Sequence, residues 1–88
     1  MKDIEKESVY DRVKNHLKEN KGYGYTISGL LVEIFGYSAD ELYGPFRVWP
    51  KGAPSDYTRV RLALLKMTEE KTVIATKYGK GFVYSWKE

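Results

Sequence analysis

The sequence predicts a single α+β domain over residues 1–88: a three-helix core, a short strand after the first helix and a C-terminal β-hairpin. Three separate stretches carry apolar residues at three- and four-residue spacing, the mark of helices that bury one face. Two β-branched and aromatic runs, Thr72–Thr76 and Phe82–Trp86, flank a glycine-containing connection near the end of the chain. A length of 88 residues supports one small core and leaves no room for a second.

The first helix is read from about Ile4 to Glu19. Val9, Val13 and Leu17 recur every four residues, with Tyr10 and His16 flanking the stripe. Asn20-Lys21-Gly22 ends it, because glycine tolerates the left-handed conformation at a helix C-terminus. Gly22–Thr26 is too short for a helix and rich in tyrosine, which reads as a short strand. Thr26 is a good N-cap for the second helix, where Ile27, Leu30, Leu31 and Ile34 share a face and Gly36 stops the run. Ser38-Ala39-Asp40-Glu41 reads as a capping box that opens one further helical turn through Tyr43. Gly44–Pro54 holds all three prolines and is read as a loop, with Phe46, Val48 and Trp49 available to pack.

Ser55 is the expected cap of the third helix, which runs to about Glu70. Val60, Ala63, Leu64 and Met67 form its buried stripe. Tyr57, Thr58, Arg59, Arg61, Leu62 and Lys66 lie on or beside the opposite face. Lys77–Gly81 is the expected five-residue hairpin loop.

Composition narrows the function classes. There are no cysteines and one histidine, which excludes disulfides, thiolate metal sites and, in practice, a zinc site. The longest nearly apolar stretch, Gly29–Gly36, contains Glu33 and is too short to span a bilayer. The N-terminal residues are of mixed charge without the apolar core of a signal peptide, so a cytoplasmic protein with no membrane partner is expected. The net charge of +3 lies wholly in residues 55–88, which carry seven basic side chains against four acidic ones. A polyanion would prefer that part of the surface.

No catalytic constellation emerges. Gly22-Tyr23-Gly24 lacks the remaining glycine spacing and the lysine of a phosphate-binding loop. His16 has no identifiable nucleophile or orienting carboxylate and is read as a structural or surface residue. Asp40 and Glu41 are neighbours whose side chains diverge on a helix, which suits a helix terminus better than paired-carboxylate catalysis. The expectation is a non-enzyme without cofactor, metal or small-molecule ligand. Among the eight tyrosines, Tyr10, Tyr25 and Tyr84 are read as core or strand residues. Tyr57 and Tyr78 lie beside basic groups, where a hydroxyl can bond a phosphate or a ring can contact a sugar or base.

The order helix, short strand, helix, helix, hairpin resembles the winged helix-turn-helix family of DNA-binding domains from about Val9 to Trp86. Tyr25–Ser38 looks like the first helix and turn of the helix-turn-helix. Val60–Ala75 looks like the recognition helix entering the first wing strand. Tyr78–Tyr84 looks like a wing tip, most similar to those of GntR-type repressors. The chain departs from the family pattern in an insertion of about residues 39–54 between helix 2 and helix 3. That segment either covers one end of the core or offers Arg47 and Lys51 to a phosphate.

The resemblance implies a small transcriptional regulator that binds double-stranded DNA, with helix 3 in the major groove and the hairpin on the backbone or minor groove. The residues expected to make contact are Ser55, Tyr57, Thr58, Arg59, Arg61, Lys66, Lys77, Tyr78 and Lys80. Arg59 and Arg61 suit bidentate contact with guanine, and Ser55 with the free N–H groups of the helix start suits a phosphate. One recognition helix covers only a few base pairs, so a homodimer formed through helix 1 or the C-terminal strand is the natural expectation. The rival reading is a winged helix used for protein docking within a larger complex, through an apolar patch of Phe46, Trp49, Leu62 and Leu65.

Overall fold

Ser8 opens the first helix: its Oγ accepts from Asp11 N at 3.1 Å, satisfying one of the N–H groups a helix start leaves free. The computed structural model describes residues 8–87, the side chain of Phe46 excepted. Helix α1 spans Val9–Glu19. The expected start at Ile4 lies outside the described residues. Val13 and Leu17 are completely buried, and Asn20 closes the helix by donating from its backbone N and from Nδ2 to His16 O.

The expected strand at Gly22–Thr26 contracts to one bridge. Tyr25 and Tyr84 exchange both backbone hydrogen bonds, each 2.8 Å long, and no ladder extends from them. Its approach depends on Gly24, where a Cβ would fall 2.2 Å from Val83 Cγ1. Only a residue without a side chain fits there.

Helix α2, Ile27–Phe35, follows at once. Thr26 Oγ1 accepts from Gly29 N, and Gly36 ends the helix at φ +79°. Ile27, Leu30 and Leu31 are buried, while Ile34, expected on the same stripe, is only half-buried.

The expected helical turn after Ser38 does not form. Glu41 Oε1 accepts from Ser38 N, half of a capping box, and residues 38–43 make overlapping i→i+3 turns. Gly44 and Pro45 follow before an i→i+4 ladder can grow. A 3₁₀ turn at Phe46–Val48 continues the connection. Trp49 then folds back, donating from Nε1 to Gly44 O at 2.7 Å and meeting the Tyr57 ring edge-on at 5.6 Å. The segment 39–54 therefore covers one end of the core through Trp49 and the buried Leu42.

Helix α3 runs Ala53–Glu69 and starts earlier than the sequence suggested. Its N-cap is Gly52 at φ +91°, without a side-chain cap, and Ser55 lies exposed in the first turn. Pro54, expected in the loop, is the second residue of the helix. A proline in the first helical turn lacks only an N–H that has no intrahelical partner. Ala53, Val60, Ala63, Leu64 and Met67 face the core. Beyond the end, Thr72 N bonds Met67 O and Lys71 N bonds Thr68 O, a Schellman closure with Lys71 left-handed at φ +68°.

Strands β1, Val73–Tyr78, and β2, Gly81–Trp86, pair antiparallel from Val73↔Trp86 to Tyr78↔Gly81. The connection is the two residues Gly79 and Lys80, not the five expected. Glycine at the first of two central positions, at φ +61°, lets the strands pair right up to the turn. Lys77 is consequently a strand residue opposite Phe82. Val73 is buried and Ala75, Tyr84 and Trp86 are half-buried on the face toward the helices. The result is an α+β fold in which three helices and one face of a C-terminal hairpin enclose a core centred on Val13, Leu17, Leu30, Leu31, Leu64 and Met67. No described helix is long and apolar enough to cross a membrane.

Candidate nucleic-acid interface

The outer face of α3 is set by its inner one. With 3.6 residues per turn, burying Val60, Ala63, Leu64 and Met67 turns Ser55, Thr58, Leu62 and Leu65 outward along one line. All four are exposed, Leu62 at 52% and Leu65 at 50%. No acidic side chain interrupts the helix between Asp56 and Glu69.

Arg59 and Arg61, both exposed, do not sit side by side. Two residues apart, they are separated by about 200° around the helix axis. They therefore border the exposed line from opposite sides. Arg59 Nη1 stands 3.5 Å from Asp56 Oδ1. The other oxygen of Asp56 accepts the Tyr37 hydroxyl at 2.6 Å. That hydrogen bond and burial raise the Tyr37 phenol above its ordinary value. An acidic group at the start of α3 is thus engaged on both oxygens. Arg61 lies on the hairpin side, where its charge lowers the Tyr84 phenol against the stronger raising effect of burial.

Lys66 belongs to a different neighbourhood from the two arginines. Its Nζ lies 5.2 Å from the centroid of the Tyr10 ring on α1, and the Tyr10 hydroxyl donates to Glu70. That contact raises the Tyr10 phenol. Thr58 is exposed while its Oγ1 donates to Pro54 O at 3.1 Å. Tyr57, expected on the outer face, is half-buried with Trp49 against it. The irregular path of residues 39–54, which brings Trp49 onto α3, has no periodic trace in the sequence.

At the hairpin, Tyr78 is 74% exposed, and Lys77 and Lys80 are exposed beside it. The tip stands against the beginning of α2. Thr26, Ile27, Ser28, Tyr57, Tyr78, Gly81 and Phe82 line an open groove of ≈ 230 Å³ between α2, α3 and the hairpin. The sequence reading missed Ser28 and Phe82 here, because a five-residue loop would have carried the tip away from α2. Arg47 and Lys51 are exposed on the segment between α2 and α3. Of the apolar patch Phe46, Trp49, Leu62 and Leu65, Trp49 is withdrawn into packing and the Phe46 side chain lies outside the description, which leaves the two leucines.

His16 sits apart from this surface, with Nε2 3.7 Å from Glu33 Oε1 and its ring edge-on to Tyr25 at 5.1 Å. The chain matches no protein-family profile, no curated protein and no solved structure.

Proposed function

We propose that this chain is a winged-helix DNA-binding protein, a small transcriptional regulator that places α3 in the major groove and its hairpin on the adjoining backbone or minor groove. The observation that carries the reading is the outer face of α3. It is a narrow exposed line free of acidic groups between Asp56 and Glu69, bordered by Arg59 on one side and Arg61 on the other. A helix of this width fits the B-DNA major groove, whose two rims are rows of phosphate.

The separation of the two arginines alters their expected role. A helix lying in the groove turns its central line to the base edges and its flanks to the phosphate rims. Arg59 and Arg61 are thereby assigned to opposite strands' phosphates, and not both to guanines. Ser55, Thr58 and Leu62 are assigned to the groove floor. Lys77, Tyr78 and Lys80 extend the positive surface from the hairpin. Lys66, turned toward Tyr10, is peripheral to that surface, and Arg47 and Lys51 are assigned no contact. The reading needs no enzyme chemistry, cofactor or small-molecule ligand. A homodimer would supply a second α3 for a second half-site.

Titration with random-sequence duplex DNA at two salt concentrations, followed by selection of preferred sites, tests the proposal. Binding that weakens as salt rises, together with enrichment of a sequence, supports it. Absence of duplex binding at low salt rejects it. The exposure of Leu62 and Leu65 favours a second reading, a protein-docking module. In that case Leu62→Ala would abolish recovery of a protein partner while duplex affinity stayed absent throughout.

A further inference from the structure

We propose that Leu62 reads the C5-methyl group of thymine, so that the preferred duplex carries A·T pairs under the middle of α3. The inference rests on the DNA-binding reading and names the specificity of that same surface.

Leu62 and Leu65 lie half-exposed in the C-terminal half of the line Ser55–Thr58–Leu62–Leu65, with Leu62 near the middle of α3. Neither is among the core residues or the hydrophobics packed against them. Cationic groups stand to either side: Arg61 toward the hairpin, and Arg59, still 64% exposed at its side chain, on the opposite flank. A surface of this kind is complementary to a partner that is apolar along its middle and anionic along both edges. The major groove over a thymine-bearing step meets that description: methyl groups project from its floor, and a phosphate row forms each rim.

The choice of base follows from what leucine lacks. Guanine offers two acceptors in the major groove, cytosine an amino donor, and adenine one of each. A leucine pressed on any of these strips water from a polar group and returns no hydrogen bond, which carries a full desolvation cost. The thymine methyl is the one major-groove feature that leucine can cover to mutual advantage.

Uracil provides the test, because it differs from thymine in the groove only by the missing methyl. The duplex enriched by selection is synthesised again with each thymine replaced in turn by uracil. Wild-type affinity is expected to fall about fourfold at one or two central positions, the fold-change that corresponds to ~0.8 kcal/mol for one buried carbon. Leu62→Ala, at an exposed helix position where alanine is well tolerated, should bind the thymine and uracil forms equally. Its melting temperature should stay within a few degrees of wild type, so lost discrimination is not lost folding. Leu62→Met, which retains an apolar tip, should restore part of the thymine preference. Tight, salt-dependent binding by a wild type indifferent to every uracil replacement would overturn methyl reading and leave the DNA-binding proposal standing. A protein that binds no duplex would overturn both, and would give the two leucines to a protein partner.

Discussion

Replacing Gly24 by alanine tests how the hairpin is held beside the helices. The new Cβ would lie 2.2 Å from Val83 Cγ1, far inside van der Waals contact. Val83 cannot swing away cheaply, because a β-branched side chain has few χ1 states. The strain must be met by moving the 22–25 segment off β2, which pulls on the two 2.8 Å hydrogen bonds between Tyr25 and Tyr84. Overpacking of this sort costs about 1–3 kcal/mol. In a domain of this size that is a fall in melting temperature of roughly 4–8 °C per kcal/mol. Thermal denaturation followed by circular dichroism reads it directly. The cause is isolated by Val83→Ala, which removes Cγ1: the double variant should recover stability relative to the sum of the singles, with a coupling of about 0.5–3 kcal/mol. A Gly24→Ala protein that melts like wild type, or a strictly additive pair, would refute the close approach.

Leu64→Ala should destabilise by about 2–5 kcal/mol, since Leu64 is fully buried, whereas half-buried Ile34→Ala should cost clearly less; urea unfolding that ranked them in reverse would contradict the placement of the core. Lys71→Gly should stabilise by about 0.5–1 kcal/mol, because an L-residue at φ +68° carries a left-handed penalty that glycine escapes; a lower melting temperature would contradict the Schellman closure. Stability should decline as pH rises above the ordinary tyrosine value. The unfolded chain gives up the Tyr37 proton first, while in the fold the hydrogen bond to Asp56 and burial retain it, and Tyr10, Tyr25 and Tyr84 act in the same direction. Tyr37→Phe should lower stability at neutral pH and make the alkaline decline shallower, and an unchanged slope would contradict that assignment.

The helices were legible because they rest on periodicity and local capping. Val13 with Leu17, Leu30 with Leu31, and Leu64 with Met67 announce their faces by spacing, and Thr26 and Gly36 bound α2 through contacts made within a few residues. What was not legible depends on contacts distant in sequence or on backbone geometry. Nothing local distinguishes Pro54 as the second residue of a helix from Pro54 as the end of a loop. Lys77 and Tyr78 carry no turn signature and none against it, so the hairpin register depends on where Gly79 takes its positive φ. The pairing of Tyr25 with Tyr84 joins positions far apart in the chain and leaves only Gly24 as its local sign. In the candidate interface the residue types were readable, and so in principle was the angular separation of Arg59 and Arg61. The loss of Tyr57 to packing was not, because it required knowing where Trp49 goes.

In the proposed function, α3 and the hairpin together form a surface for duplex DNA. It is tested most directly by duplex affinity measured across a salt series for the wild type, Arg61→Ala and the Lys77→Ala/Lys80→Ala pair. For the wild type, log affinity should fall linearly with log salt. Each phosphate contact removed should reduce that slope by about 0.9, and the lysine pair should weaken specific and random duplexes alike. Slopes identical in all three proteins, or a wild type with no measurable duplex affinity at low salt, would contradict it.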